Sequence, residues 1–364
     1  MEKRKNSPRL TSFQLFSLLL GGMLGFGALN ISRFASFVIG RDGWISVLFG
    51  GVIIIINSFI MIKLGNRFPG KTIIQYSEEI IGKVLGKALG FIFVVSAICI
   101  SGLTLAVGAF VINSWILTFT PPYALYVTII LACFYVCLKD LKVLGRVSEL
   151  LFFAHLIFFI LFLPPVAQTG NYMNILPVAK SGWINIFSEI PSVLYCFAGY
   201  ELISIYYAFS EDKKKSSKSA IWSVVVIVFV YTFAVITQII LFPLDYLQKL
   251  WVPSVNFISS IQVPFLERLD IIFVISWLYV FFKVISSYYY AATIEIQQIF
   301  NIKNRKMICL FIAPVIFIVA FFSSGINQID SFTYVATSYT IALSLTVPML
   351  LLVVSLLRRK GKNK

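Results

Sequence analysis

The chain has 364 residues, 59% of them hydrophobic and only 12% charged, with a formal net charge of +15. That composition excludes a soluble globular domain or a disordered tail and marks an all-α, polytopic membrane protein. The positive charge does not announce a nucleic-acid partner, because the basic residues are spread over alternate loops.

A crossing helix needs about 20 apolar residues, and ten such segments follow one another at 11–38, 44–64, 86–113, 122–138, 148–169, 185–209, 219–242, 268–293, 307–325 and 333–357. The first holds Gly21-Gly22-Met23-Leu24-Gly25-Phe26-Gly27 in its middle. Each glycine lowers helix stability by about 1 kcal/mol relative to Ala. Two readings fit: a break around a buried binding site, or small residues that let helices pack closely. Further on, Arg33 is either an interfacial residue with its charge in the headgroups or a gate above the site. After the second segment, Gly65 to Gly86 reads as an amphipathic cytoplasmic stretch containing Glu78 and Glu79.

The third segment sets Ser101, Gly102, Thr104 and Gly108 at helical spacing, as cavity lining or as close-packing residues. Pro121-Pro122 stops the following turn, and His155 in the fifth segment is a packing residue or a proton relay. In the sixth, Phe197-Ala198-Gly199-Tyr200-Glu201 puts a carboxylate two residues after a glycine. An ionised glutamate in hydrocarbon costs several kcal/mol, so Glu201 either has a functional role or caps a neighbouring helix. The eighth holds Lys283, which needs a partner or an aqueous vestibule, and Glu201 is its candidate partner.

Twenty-four of the thirty basic residues lie in the termini and the even-numbered connections, among them Lys71, Arg146, Lys215, Arg305 and Arg359. The opposite loops hold only Arg41, Lys180, Lys249 and Arg268. Both termini are therefore expected in the cytoplasm, with the basic loops against anionic lipid. Five cysteines, all inside the apolar segments, form neither a disulfide framework nor a metal-ligand spacing. No Walker glycine loop and no Ser/His/Asp set appears, so neither ATP-driven pumping nor enzyme chemistry is expected.

The two glycine interruptions, in the first and sixth segments, are five segments out of step. Five is odd, so a five-helix repeat inserts its second copy upside down, and broken helices then occupy corresponding positions at the midplane. The expectation is one transmembrane domain over 1–364, with a first repeat at about 11–169 and a second at about 185–357. Broken helices expose N–H groups at one end and C=O groups at the other, which suits an amino-acid-like ligand.

The first-segment glycines and Phe197-x-Gly199-x-Glu201 resemble the two signatures of amino acid–polyamine–organocation permeases, which share the LeuT-type 5+5 inverted-repeat fold. More narrowly, the chain resembles the B subunit of endospore germinant receptors. The likeness is carried by Arg33 followed by Gly43-Trp44, Pro69-Gly70-Lys71-Thr72, Phe197 to Glu201, Trp251-x-Pro253-Ser254, Val263 to Asp270, Trp277, and Glu295 to Phe300. Ser32 stands where that family has proline. The resemblance implies a subunit of the spore inner membrane that binds a small nutrient at mid-membrane and works beside an A subunit and a lipoprotein C subunit. A proton-coupled amino-acid permease is the alternative. It also implies no cofactor and a ligand site lined by Gly22, Met23, Leu24, Gly25, Phe26, Gly27, Leu105, Tyr195, Phe197, Ala198, Gly199, Glu201, Ser276 and Trp277. Glu201, Lys283 and Arg33 take coupling or gating roles.

Overall fold

The computed structural model describes residues 9–160, 170–261 and 268–361. Val263 to Glu267, the end of the fifth apolar segment and the side chain of His155 lie outside the described residues.

The described chain is helical apart from an isolated bridge between Leu10 and Ser210. Helix α1 runs Ser12–Met23 and starts on a reciprocal cap between Thr11 and Gln14. It stops at Leu24, and α2, Phe26–Ile39, begins after an extended Gly25. Next come α3 (Gly43–Arg67), the short capped α4 (Ile73–Ile81), α5 (Lys83–Trp115), α6 (Pro122–Cys137) and α7 (Leu141–Ile160). The pair α8 (Ile190–Phe197) and α9 (Tyr200–Phe209) is bent by 52°. The remaining long helices are α10 (Lys213–Leu241), α11 (Leu269–Phe300), α12 (Arg305–Phe322) and α13 (Ile326–Leu357).

Each of the ten apolar segments coincides in whole or in part with one helix or one helix pair. By length and composition alone, six helical runs among the described residues suffice to cross a bilayer, or seven with the bent pair. The smaller number has local causes. Runs α2 and α3 join into one through the turn at Gly40–Asp42, α1 and α6 are short, and α7 is described only as far as Ile160.

Helix α11 packs along α5 and also touches α1, α6, α7 and α12, which makes it the central strut. Its inward positions carry Tyr288, Tyr289 and Tyr290, all buried. Buried Asp42 accepts hydrogen bonds from the Ala179 N–H (2.7 Å), the Ser181 N–H (2.9 Å) and the Ser181 hydroxyl, tying the α2–α3 turn to the loop before α8.

Candidate functional site

The two interruptions lie against each other. Gly199 has φ +119°, a left-handed conformation that favours glycine. A β-carbon there would stand 2.6 Å from the Gly22 carbonyl carbon and 2.7 Å from Met23 Cα. One at Gly27 would stand 2.8 Å from Cys196 Cα. Glycine at these places lets the backbones of α1–α2 and α8–α9 touch at their breaks.

Buried polar groups hold the geometry. The Tyr231 hydroxyl donates to the Met23 carbonyl (2.7 Å), and the Ser254 hydroxyl donates to Ala28 O (2.8 Å). Glu201, 3% exposed, accepts from the Gly199 N–H (2.8 Å) and from the Tyr288 hydroxyl, joining the bend to α11. A carboxylate between two donors replaces part of the hydration that it loses.

A small cavity, partly open to its surroundings, lies beside this crossing. Gly22, Met23, Gly25, Phe26 and Gly27 line it from the first break; Tyr195, Cys196 and Ala198 line it from the second. Helix α5 contributes Ile100, Leu103, Thr104 and Val107, α11 Val284 and Tyr288, and α13 Thr333 and Thr337. The Tyr195 hydroxyl and Thr333 Oγ1 are buried without a partner among the described residues. Gly25, as the N-cap of α2, supplies no side-chain oxygen to the first turn.

The other expected site residues stand outside the lining. Leu24 is half-buried against the core; Phe197 is buried with its ring 5.2 Å from that of Tyr231; Gly199 backs onto Gly22. Leu105 is fully buried and turned from the cavity, with Thr104 taking its place. Ser276 and Trp277 lie about two turns from the crossing: Ser276 Oγ donates to Phe273 O (2.5 Å), and the Trp277 ring sits between Phe273 (5.9 Å) and Phe281 (5.7 Å). The axial register of α11, which hydropathy does not encode, brings Val284 and Tyr288 to the site instead.

The expected Glu201–Lys283 pair is corrected. The ion pairs among the described residues are Arg33–Asp330, Lys71–Glu79 and Arg268–Asp270. Lys283, also buried, lies against Gly21 of α1, where it fills the space that a β-carbon would need. Tyr288 stands five positions after Lys283, which turns them about 140° apart on α11. One faces α1 and the other Glu201. Glu295, fully buried, has neither carboxylate oxygen partnered among the described residues.

Arg33 joins a lid over the cavity. Its Nη1 lies 3.4 Å from Asp330 Oδ2, and Trp251 Nε1 donates to Asp330 Oδ1 (2.9 Å). The Trp251 ring packs on Phe26 (5.4 Å) and Phe110 (4.6 Å). On the other side, Leu10 bonds with Phe209 (2.9 Å) and Glu211 (3.0 Å), pinning the start of α1 beside α9. Contacts from both ends of the bundle thus bracket the chamber. Thr333 and Thr337 were missed in the sequence, although their one-turn spacing in an apolar helix was a visible signal.

A family model described as "Spore germination protein" matches residues 9–329. The spore germination protein YndE of Bacillus subtilis (strain 168) is 26% identical over 362 residues, covering 98% of each chain. GerQB of Bacillus cereus, a spore germination protein, is 24% identical over 323 residues, covering 88% of this chain and 89% of its own. Among solved structures, MhsT in complex with L-phenylalanine superposes with a TM-score of 0.69 at 14% identity, covering 93% of this chain and 88% of that one. A manganese transporter mutant of Eremococcus coleocola reaches 0.64 at 13% identity, covering 94% and 78%.

Proposed function

We propose a function for this chain from one premise: it belongs to the spore germination protein family. It is a multi-pass membrane protein with a LeuT-like fold, and our reading is a germinant receptor B subunit that binds a small nutrient, an amino acid, at mid-membrane. The supporting observation is the chamber at the contact of two helix breaks, with two buried unpartnered hydroxyls among its lining residues. The first-turn N–H groups of α2 suit the nutrient's carboxylate, and the carbonyl end of α1 suits its ammonium. Phe26, Tyr195 and Tyr288 line the small space, so the site favours a compact ligand.

In this reading, the halves 11–169 and 185–357 are the two inverted repeats. Nutrient binding favours one packing of the breaks over another, and the shift passes to A and C subunits in the spore inner membrane. Arg33 with Asp330 gates the outer side, Glu201 couples the α8–α9 bend to α11, and Lys283 braces α1. Gly25→Trp tests the site directly. A β-carbon at Gly25 meets only Val284 Cγ2, at 3.8 Å, so the larger side chain has the chamber to enter. Germination through this receptor should fall at least tenfold while membrane insertion persists; an unchanged response removes Gly25 from the site.

The other reading, a proton-coupled amino-acid permease, draws on the same fold. Radiolabelled amino-acid uptake into proteoliposomes separates the two. The receptor reading expects no concentrative uptake by this chain alone and loss of one nutrient response in a strain lacking it. Robust concentrative uptake would replace it with the permease.

A further inference from the structure

Glu295 is fully buried, and neither of its carboxylate oxygens has a hydrogen-bond partner among the described residues. It stands seven positions after Tyr288 on α11, which is about 20° short of two full turns and about 10 Å along the axis. The face that meets Glu201 through Tyr288 therefore runs on to Glu295, towards the basic turn at 303–306.

The two glutamates have opposite surroundings. Glu201 accepts from the Gly199 N–H (2.8 Å) and the Tyr288 hydroxyl. Glu295 has no such donors, and none of the ion pairs among the described residues includes it. From α9, Glu201 and Tyr206 act on it electrostatically, but the Tyr206 hydroxyl donates to Ser287 O. The other helices packed on α11 supply no free charge. Helices α1 and α6 carry no charged residue. On α4, Glu78 packs on Gly86 and Glu79 pairs with Lys71; on α7, Glu149 accepts from Gln14 (3.4 Å). Arg305 of α12 donates to the Tyr290 hydroxyl, and the thiols of Cys133, Cys137 and Cys309 donate to backbone carbonyls. Lys83, Arg146 and Lys306 are exposed, and Lys87 and Lys142 are half-buried.

We propose that Glu295 is a proton-binding site, filled in this packing as a neutral carboxylic acid. An ionised carboxylate enclosed by protein with neither donor nor cation is costly enough that the group takes up a proton instead. Binding forms an O–H bond on one oxygen. When a rearrangement of α11 admits water, that bond breaks, the proton passes to water and the negative charge stays on the carboxylate. The closed packing thus holds one proton more than the opened one, so each rise of one pH unit favours opening by up to tenfold. Because Tyr288 at the chamber and Glu295 share a helix face, a shift in the packing of the breaks reaches this proton too. Its presence on Glu295 does not depend on what the chamber binds.

Infrared spectroscopy of the full chain in membranes tests this. At neutral pH the wild type should show the carbonyl stretch of a protonated glutamic acid, moved by isotopically labelled glutamate; Glu295→Gln should lose that band and Glu201→Gln should keep it. Absence of the band in the wild type, or its survival in Glu295→Gln, overturns the proposal. Should Glu295→Gln fail to fold, Glu295→Asp in glutamate-labelled protein repeats the test. An acid band that no longer moves with the label supports the site, and one that still moves overturns it. Thermal unfolding gives a second measure: the wild type should lose stability relative to Glu295→Gln as pH rises above the ordinary glutamate range, whereas parallel curves would count against a buried proton.

Discussion

Glycine and glutamate at the α8–α9 bend carry the first consequences. Gly199→Ala forces a side chain into a left-handed conformation and onto the Gly22 backbone, at a cost of roughly 1–3 kcal/mol. Thermal unfolding in detergent should show a clear loss of stability, and a germination assay should show a blunted response; an unaltered melt would mean that the two breaks do not touch. Glu201→Gln has a different origin. Its amide keeps one acceptor oxygen but turns an NH₂ toward the second donor, either the Gly199 N–H or the Tyr288 hydroxyl, and leaving a buried group unsatisfied costs about 1–3 kcal/mol. A double-mutant cycle sorts its partners: Glu201→Gln with Tyr288→Phe should be non-additive by about 0.5 kcal/mol or more, whereas Glu201→Gln with Lys283→Met should add. The opposite pattern would restore a Glu201–Lys283 contact.

Among elements, α2 and α13 meet through Arg33 and Asp330, and the loop before α11 joins them through Trp251. The ionic pair is about one quarter exposed on each side, so its contribution to stability stays within about 1 kcal/mol. Its consequence is positional, because it keeps Trp251 on Phe26 above the chamber. Arg33→Ala should therefore melt close to the wild type while ligand exchange, followed by stopped-flow tryptophan fluorescence, speeds up severalfold. An exchange rate equal to the wild type's would show that the lid is held by its aromatic contacts alone. The role of α11 follows from its faces. One side presents Lys283 to α1, another presents Tyr288 to Glu201, and Val284 lies between them on the cavity, so rotation of this helix would disturb both breaks together.

For the whole molecule, charge placement predicts topology: Lys215→Cys should react with an impermeant maleimide only from the cytoplasmic side and Lys249→Cys only from the other, and the reverse labelling would invert the chain. Membrane class, helical content and the places of both interruptions were legible in the sequence, because they depend on composition and on local backbone freedom. Gly199, two residues before Glu201, stood out for the same reason, as a backbone interruption with a carboxylate close behind it. Which faces meet was not. Val284 and Tyr288 line the chamber in place of Ser276 and Trp277, Thr104 replaces Leu105, α13 brings Thr333 and Thr337, and Lys283 turns to Gly21 instead of Glu201. In an almost uniformly apolar helix the hydrophobic pattern marks no unique inward side. Only close packing of side chains between helices settles each helix's rotation and axial register, and with them the residues that face the ligand.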